Sequence, residues 1–230
     1  MSRRLGTVGA EMSPLREERR ALFEAAFTDG HRYLNRSGET EIHFTLHTGG
    51  AVRTRGGQLE VGGCLFPANR GLPAGQFIVQ CAVGASRNGF GRVVFAAAAP
   101  VTWERMQGQV RVTSQAVDSD AITEEWVKTD DLRVEVGSVA FAEPGFGERL
   151  EQLAHEHGAD DFDDLLQLAT AGLVELAVVE STPVLQTSQL EGKRSVAMQA
   201  GLGDGTYGVY GGYGADGTLT RLLVDFDLFG

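Results

Sequence analysis

The chain has 230 residues, 42% of them hydrophobic, and sets 31 Asp and Glu against 20 Lys and Arg for a formal net charge of -11. Such a chain can build a core without staples, and its acidic pI near 4.9 argues against nucleic-acid binding through a general basic surface, because phosphate affinity comes mainly from Lys and Arg. The first ten residues lack an apolar segment of signal-peptide length and no later run could span a bilayer, so the expectation is a cytoplasmic protein with neither a nucleic-acid nor a membrane partner.

Residues 1–12 carry no periodicity and read as a disordered tail. Ser13-Pro14 then resembles an N-cap followed by proline in a first turn, and Leu15, Leu22, Phe23, Ala25, Ala26 and Phe27 give an amphipathic helix ending near Asp29-Gly30. Its other face carries Arg16, Glu17, Glu18, Arg19, Arg20 and Glu24, a mixed-charge face suited to solvent.

From Glu41 the period becomes two: Ile42, Phe44 and Leu46 alternate with His43, Thr45 and His47, the pattern of a half-buried strand. His43 and His47 fall about 13 Å apart along such a strand, too far to share one metal ion. Gly56 to Pro67 reads as a short strand between glycine pairs, and Leu72-Pro73-Ala74-Gly75 as a turn into a strand over Gln76–Val83. Asn88-Gly89 marks a loop before the strand Arg92–Ala99, and short strands around Trp103 and over Gln109–Thr113 follow. Cys64 and Cys81 lack a C-x-x-C spacing and lie in apolar surroundings, which suits buried thiols.

Ser114 to Asp131 is polar and acidic, with Trp126 as its one large apolar anchor, and reads as a loop or short helix; Leu132–Phe141 reads as one strand bent at Gly137. Phe146, Leu150, Leu153 and Ala154 mark a helix stopped by Gly158, and Asp161 caps a second helix carrying Phe162, Leu165, Leu166 and Ala169. Asp160, Asp161, Asp163 and Asp164 lack the glycine and terminal glutamate of a calcium loop, and carboxylates suit a first helical turn. Leu173–Val179 reads as a strand, Thr182 to Gly192 as connecting chain, and Ser195–Gln199 as a strand.

The stretch from Gly201 to Phe229 is the sharpest fold signal. Gly203-Asp204-Gly205 and Ala215-Asp216-Gly217 are turns around a Tyr207–Tyr213 strand, and Arg221–Phe229 alternates to close the sheet. It lacks the lysine and the strand-to-helix context of a phosphate loop, and no G-x-S-x-G elbow occurs in the chain. Tyr207 and Tyr213 share one strand face and Tyr210 takes the other. With Asp204 and Asp216 these tyrosines are the candidate binding residues, as core packing is their competing role. Asp225 and Asp227 project on one face and, with Glu143, form the candidate metal set of an alternative reading.

Five segments, in order, resemble the bacterial family filed as domain of unknown function number four thousand two hundred and forty-one. They are Gly57 to Gly62 with Pro67, Leu72 to Val79, Arg92 to Glu104, Val134 to Glu143, and Gly203 to Tyr210 continuing through Gly217 to Phe226. The chain departs from the family pattern at Phe66 and Glu143, where the family carries Asp. The resemblance implies no established reaction; it raises an expectation of association with bacterial toxin and immunity systems.

The fold expected is mainly β in an α+β arrangement: two packed antiparallel sheets, an N-terminal helix and an inserted helical pair. Residues 13–230 form one β-rich domain, with sub-lobes over 13–113 and 132–230 as its finer division. The function expected is a protein-binding module, immunity-like or toxin-system-associated, acting through a surface on a protein partner and without a cofactor. The alternative is a metal-dependent hydrolase using the C-terminal carboxylates.

Overall fold

A computed structural model describes residues 17–27, 32–34, 41–62, 64–66, 75–86, 91–100, 102–106, 109–113, 125–135, 137–182, 184–200, 203–217 and 219–226. The tail over 1–12, Ser13-Pro14, Asp29-Gly30, Pro67, Leu72-Pro73-Ala74, Asn88-Gly89, Gly201 and Asp227 lie outside the described residues. In chain order the elements are α1 (Glu17–Ala26), β1 (Arg32–Leu34), β2 (Glu41–Arg53), β3 (Leu59–Val61), β4 (Cys64–Phe66), β5 (Gln76–Ser86), β6 (Gly91–Pro100), β7 (Thr102–Met106) and β8 (Gln109–Thr113). There follow β9 (Glu125–Val134), β10 (Ser138–Ala142), α2 (Phe146–His157), α3 (Phe162–Thr170), β11 (Leu176–Ser181), β12 (Leu185–Leu190), β13 (Lys193–Gln199), β14 (Gly205–Tyr213) and β15 (Leu219–Asp225).

The protein is mainly β, with antiparallel sheets. A seven-stranded sheet runs β1-β2-β5-β6-β15-β14-β9, a six-stranded sheet runs β11-β12-β13-β10-β3-β4, and β7 pairs with β8. Both larger sheets take strands from early and late in the chain. Their facing surfaces make the main core: Val52, Phe77, Val79, Val127, Leu132, Val209, Leu222 and Val224 of one sheet pack with Leu59, Val61, Val139, Phe141, Leu185 and Val196 of the other. The outer face of the seven-stranded sheet is covered by α1, whose Leu22, Phe23, Ala25 and Ala26 sit on Ile42, Phe44, Ala82, Trp126 and Leu223. The helical pair covers part of the outer face of the six-stranded sheet, packing Phe146, Leu153 and Leu165 on Ala142, Leu176 and Leu190. Among the described residues no helix is long and apolar enough to cross a membrane.

Strand β2 serves both cores because its face changes partway. Thr48 pairs with Gln80 and Ala51 with Ile78, leaving Gly49 and Gly50 against a single residue of β5; such a bulge inverts the alternation after it. Ile42 and Phe44 therefore face α1 while Val52, another even-numbered position, faces the six-stranded sheet. The glycines also let the two sheets touch. A Cβ on Gly50 would lie 2.7 Å from Cγ2 of Thr187, one on Gly49 would lie 2.8 Å from Cγ1 of Val196, and the Gly50 N–H donates to Thr187 Oγ1 at 3.2 Å.

Three sequence expectations change. Residues 125–131 are not loop or helix but belong, with 132–134, to strand β9, bulged between the Tyr210↔Lys128 and Val209↔Asp130 pairs, so that Trp126 faces α1 while Leu132 and Val134 face the main core. Leu132–Phe141 is not one bent strand: β9 and β10 belong to different sheets, and Gly137, at φ 63°, lies between them. Thr182–Gly192 is not plain connecting chain, because it holds β12, joined to β13 by the Glu191-Gly192 turn with both φ values positive. The helix signals hold: Gly158 ends α2 in the left-handed conformation, and the Asp161 carboxylate accepts from the Asp164 N–H at 2.9 Å.

Gly50→Ala tests the sheet contact. Thr187 is β-branched and buried, so it yields little, and the added methyl should destabilise the protein by about 1–3 kcal/mol. Urea unfolding should show a lower midpoint with an unchanged slope.

Candidate functional site

The tyrosines of β14 follow a Gly-x-Tyr rule. Residues two apart on a strand share a face, and each ring lies over the glycine two positions before it. A Cβ on Gly205 would meet Tyr207 at 3.3 Å, one on Gly208 would meet Tyr210 at 2.7 Å, and one on Gly211 would meet Tyr213 at 2.9 Å. Tyr207 and Tyr213 are buried between the sheets; Tyr207 stacks edge-on against Phe226 at 5.1 Å and donates its hydroxyl to the Gly203 carbonyl at 2.8 Å. Tyr210, half-buried on the opposite face, meets Phe23 of α1 edge-on at 5.1 Å. The three rings are thus divided between two cores.

Asp204 and Asp216 are both exposed, at opposite ends of β14. A nine-residue strand holds them roughly 30 Å apart, so they do not converge. Asp204 borders an open cleft of about 470 Å³ with Arg133, Val134, Glu135, Gly205 and Thr206, in which Arg133 and Glu135 already pair at 3.1 Å.

The carboxylates of the alternative reading are separated too. Alternation along β15 places Asp225 on the face opposite Leu222 and Val224, which the sequence reads as solvent; α1 covers that face, and Asp225 is buried there, bonded by Arg19 through Nε at 2.8 Å and through Nη2. Glu143 follows β10 in the other sheet, also buried, with Arg55 Nη2 at 4.0 Å and its Oε2 without a hydrogen-bond partner. Asp227 lies outside the described residues. Among the described residues no three His, Cys, Asp or Glu side chains group so as to hold a metal ion. His43 lies 3.5 Å from Glu41. Cys81 is a free, buried thiol pushed up to about 12 by burial. Arg19→Ala removes the bonds that tie α1 to β15 and should lower stability by about 2 kcal/mol, read as an earlier urea midpoint.

A buried acid not marked by any sequence motif is Glu60. Leu59 and Val61 point into the main core, which leaves Glu60 on the other face of β3, where its two oxygens accept the Gly145 N–H at 3.0 Å and the Gly147 N–H at 2.9 Å. A carboxylate from 85 residues away thereby caps α2, with Lys193 Nζ bonded to the Gly145 carbonyl beside it at 2.9 Å. Burial raises the Glu60 pKa above its ordinary 4.5, opposed by these backbone N–H groups and by Lys193. A raised acid binds more protons folded than unfolded, so its contribution is fully present below pH 4.5 and is lost as pH rises through the folded value. Across urea melts from acid to neutral pH, the stability gap between wild type and Glu60→Gln should therefore move in the variant's favour. Movement toward the wild type would mean that the helix N–H groups outweigh burial.

The exposed large apolar side chains among the described residues are Leu34, Leu173, Val178 and Val179, and three of these four lie in or just before β11. Strand β11 is an edge of the six-stranded sheet, and of its six residues only Leu176 is buried. A bulge falls between Val178 and Glu180, and bulges re-aim side chains; Val178 is 38% exposed and Val179 53%. The apolar run was visible in the sequence, but its place at an open edge was not. Compared with family models, with curated proteins and with solved structures, the chain matches none.

Proposed function

We propose that this is a cytoplasmic protein-binding module that acts through a surface and uses no cofactor. One observation carries the reading: the apolar side chains of Leu173, just before the edge strand β11, and of Val178 and Val179 within it stand exposed. Such an edge, paired with β12 on its inner side, suits recognition of another protein. The likeness to the domain-of-unknown-function family adds a direction, an immunity-like role in which the partner is a toxic bacterial protein. The hydrolase alternative gains no specific support from Asp225 under α1 or from Glu143 in the other sheet.

The test is to isolate a stoichiometric partner from the native organism, purify it, and titrate it with the intact chain. Leu173→Lys together with Val178→Lys should weaken that binding by tenfold or more, on the order of 1.4 kcal/mol or above, with the melting temperature nearly unchanged because both side chains are exposed. Neutralisation of the partner's toxicity at one-to-one stoichiometry would establish the immunity-like form. Metal-stimulated hydrolysis abolished by Asp225→Ala, in a variant that stays folded and with no partner found, would overturn the proposal.

A further inference from the structure

We infer that β11 is the docking edge for a basic, extended segment of the partner, which adds to the six-stranded sheet as its next strand. The inference rests on the protein-binding reading and specifies its mode and the partner's chemistry.

The first observation is the state of the edge. An edge strand presents unpaired backbone N–H and C=O groups, and soluble proteins blunt it with charged side chains, proline, bulges or brevity; of these β11 has only a bulge at Val179 and a glutamate near its end. The other terminal strands of the two larger sheets follow that rule: β1 and β4 have three residues each, and β9 carries exposed Lys128, Asp131 and Arg133. Strand β11 has six residues, no lysine and no proline, and Ala177, Val178 and Val179 at its centre are all exposed. Among the described residues nothing pairs with its outer side. The bulge at Val179 keeps the available ladder short, so binding there depends on side chains as well as backbone.

The second observation is charge. From Leu150 to Gly192 the chain carries nine Asp and Glu and no Lys or Arg, a segment that contains α3, β11, β12 and two-thirds of α2; Arg149, just before it, pairs with Glu156 and Glu191 and leaves the other seven. Glu175 and Glu180 are exposed at the start and far end of the apolar run. An acidic rim around an apolar edge favours a basic strand and repels an acidic one. A second copy of this chain would set one such acidic region against another. Charge therefore selects a basic partner segment over self-association.

The test uses the intact chain and a fluorescent peptide alternating Lys and Val, with a peptide alternating Glu and Val as its counterpart. Anisotropy should show the basic peptide binding, weakening as salt rises, while the acidic peptide does not bind. Hydrogen exchange should show protection confined to the amides of β11. Val179→Lys should weaken binding by about tenfold or more, whereas Leu34→Lys, at the exposed position on β1, should leave it unchanged; both positions are exposed, and equal melting temperatures verify folding. Equal binding of the two peptides, no binding of the basic one, or insensitivity to Val179→Lys would overturn the inference. So would a dimer of the chain that Val179→Lys converts to monomer. A purified natural partner that still binds Val179→Lys at full strength would defeat this edge while leaving the protein-binding reading intact.

Discussion

The contact between the two sheets at Gly49 and Gly50 is the constraint on which the architecture depends. Sheets stacked face to face usually stand about 10 Å apart, separated by interdigitating side chains. Here a backbone bulge replaces those side chains, and its displaced N–H finds Thr187 Oγ1 across the interface. The same bulge turns β2 over, so one strand supplies Ile42 and Phe44 to the helix-covered face and Val52 to the sandwich core. With a regular β2, Ile42, Phe44 and Val52, all even-numbered, would face the same side. The bulge in β9 acts likewise, sending Trp126 outward and Leu132 and Val134 inward. Strand β15 reaches both cores by plain alternation, with Leu222 and Val224 inward and Leu223 under α1; in β2 the glycine pair moves the apolar positions from one face to the other where the sheets are closest.

This explains which parts of the fold were legible in the sequence. Regular alternation revealed β2 as far as His47, β5, and β14 with the opposed facing of its tyrosines. Cap residues revealed α2 and α3. Alternation fails where a bulge shifts the phase, so β9 as far as Asp131 read as loop or short helix although Trp126 and Val127 are buried. Strand β12 was hidden for a different reason: its buried positions include Thr187 and Ser188, hydroxyl residues that carry no hydrophobic signal. Its turn was hidden as well, because Glu191 at φ 47° occupies a place where asparagine or aspartate is usual. Arg149 holds that glutamate through three hydrogen bonds of 2.8–3.0 Å, a tertiary clasp that no local pattern announces.

The site was less legible than the fold. Spacing established that Tyr207 and Tyr213 share a face, yet could not say that the face is an interior one. It put Asp225 opposite the apolar residues of β15 without revealing that α1 lies over it. A strand's own sequence also does not state its rank in a sheet: β11 and β5 both read as apolar runs, but β5 has a neighbour on each side and β11 has one. Conversely, Glu60 had the look of an ordinary polar residue in an alternating strand, and only the tertiary arrangement makes it the cap of a distant helix. What separates these cases is that their roles are fixed by non-local neighbours, which periodicity does not encode.

Strand β15 has a consequence for how the molecule is assembled. It lies between β6 and β14, and among the described strands it alone links the early strands β1, β2, β5 and β6 of the seven-stranded sheet to the late strands β14 and β9. A ribosome delivers β15 after every other described strand, so until then the early half of that sheet has an unpaired side at β6 and α1 lacks the Asp225 that anchors Arg19. Contacts of such long sequence separation close slowly. From the emergence of β6 until β15 follows it, more than a hundred residues later, the nascent chain must therefore keep an unfinished sheet from pairing with other chains.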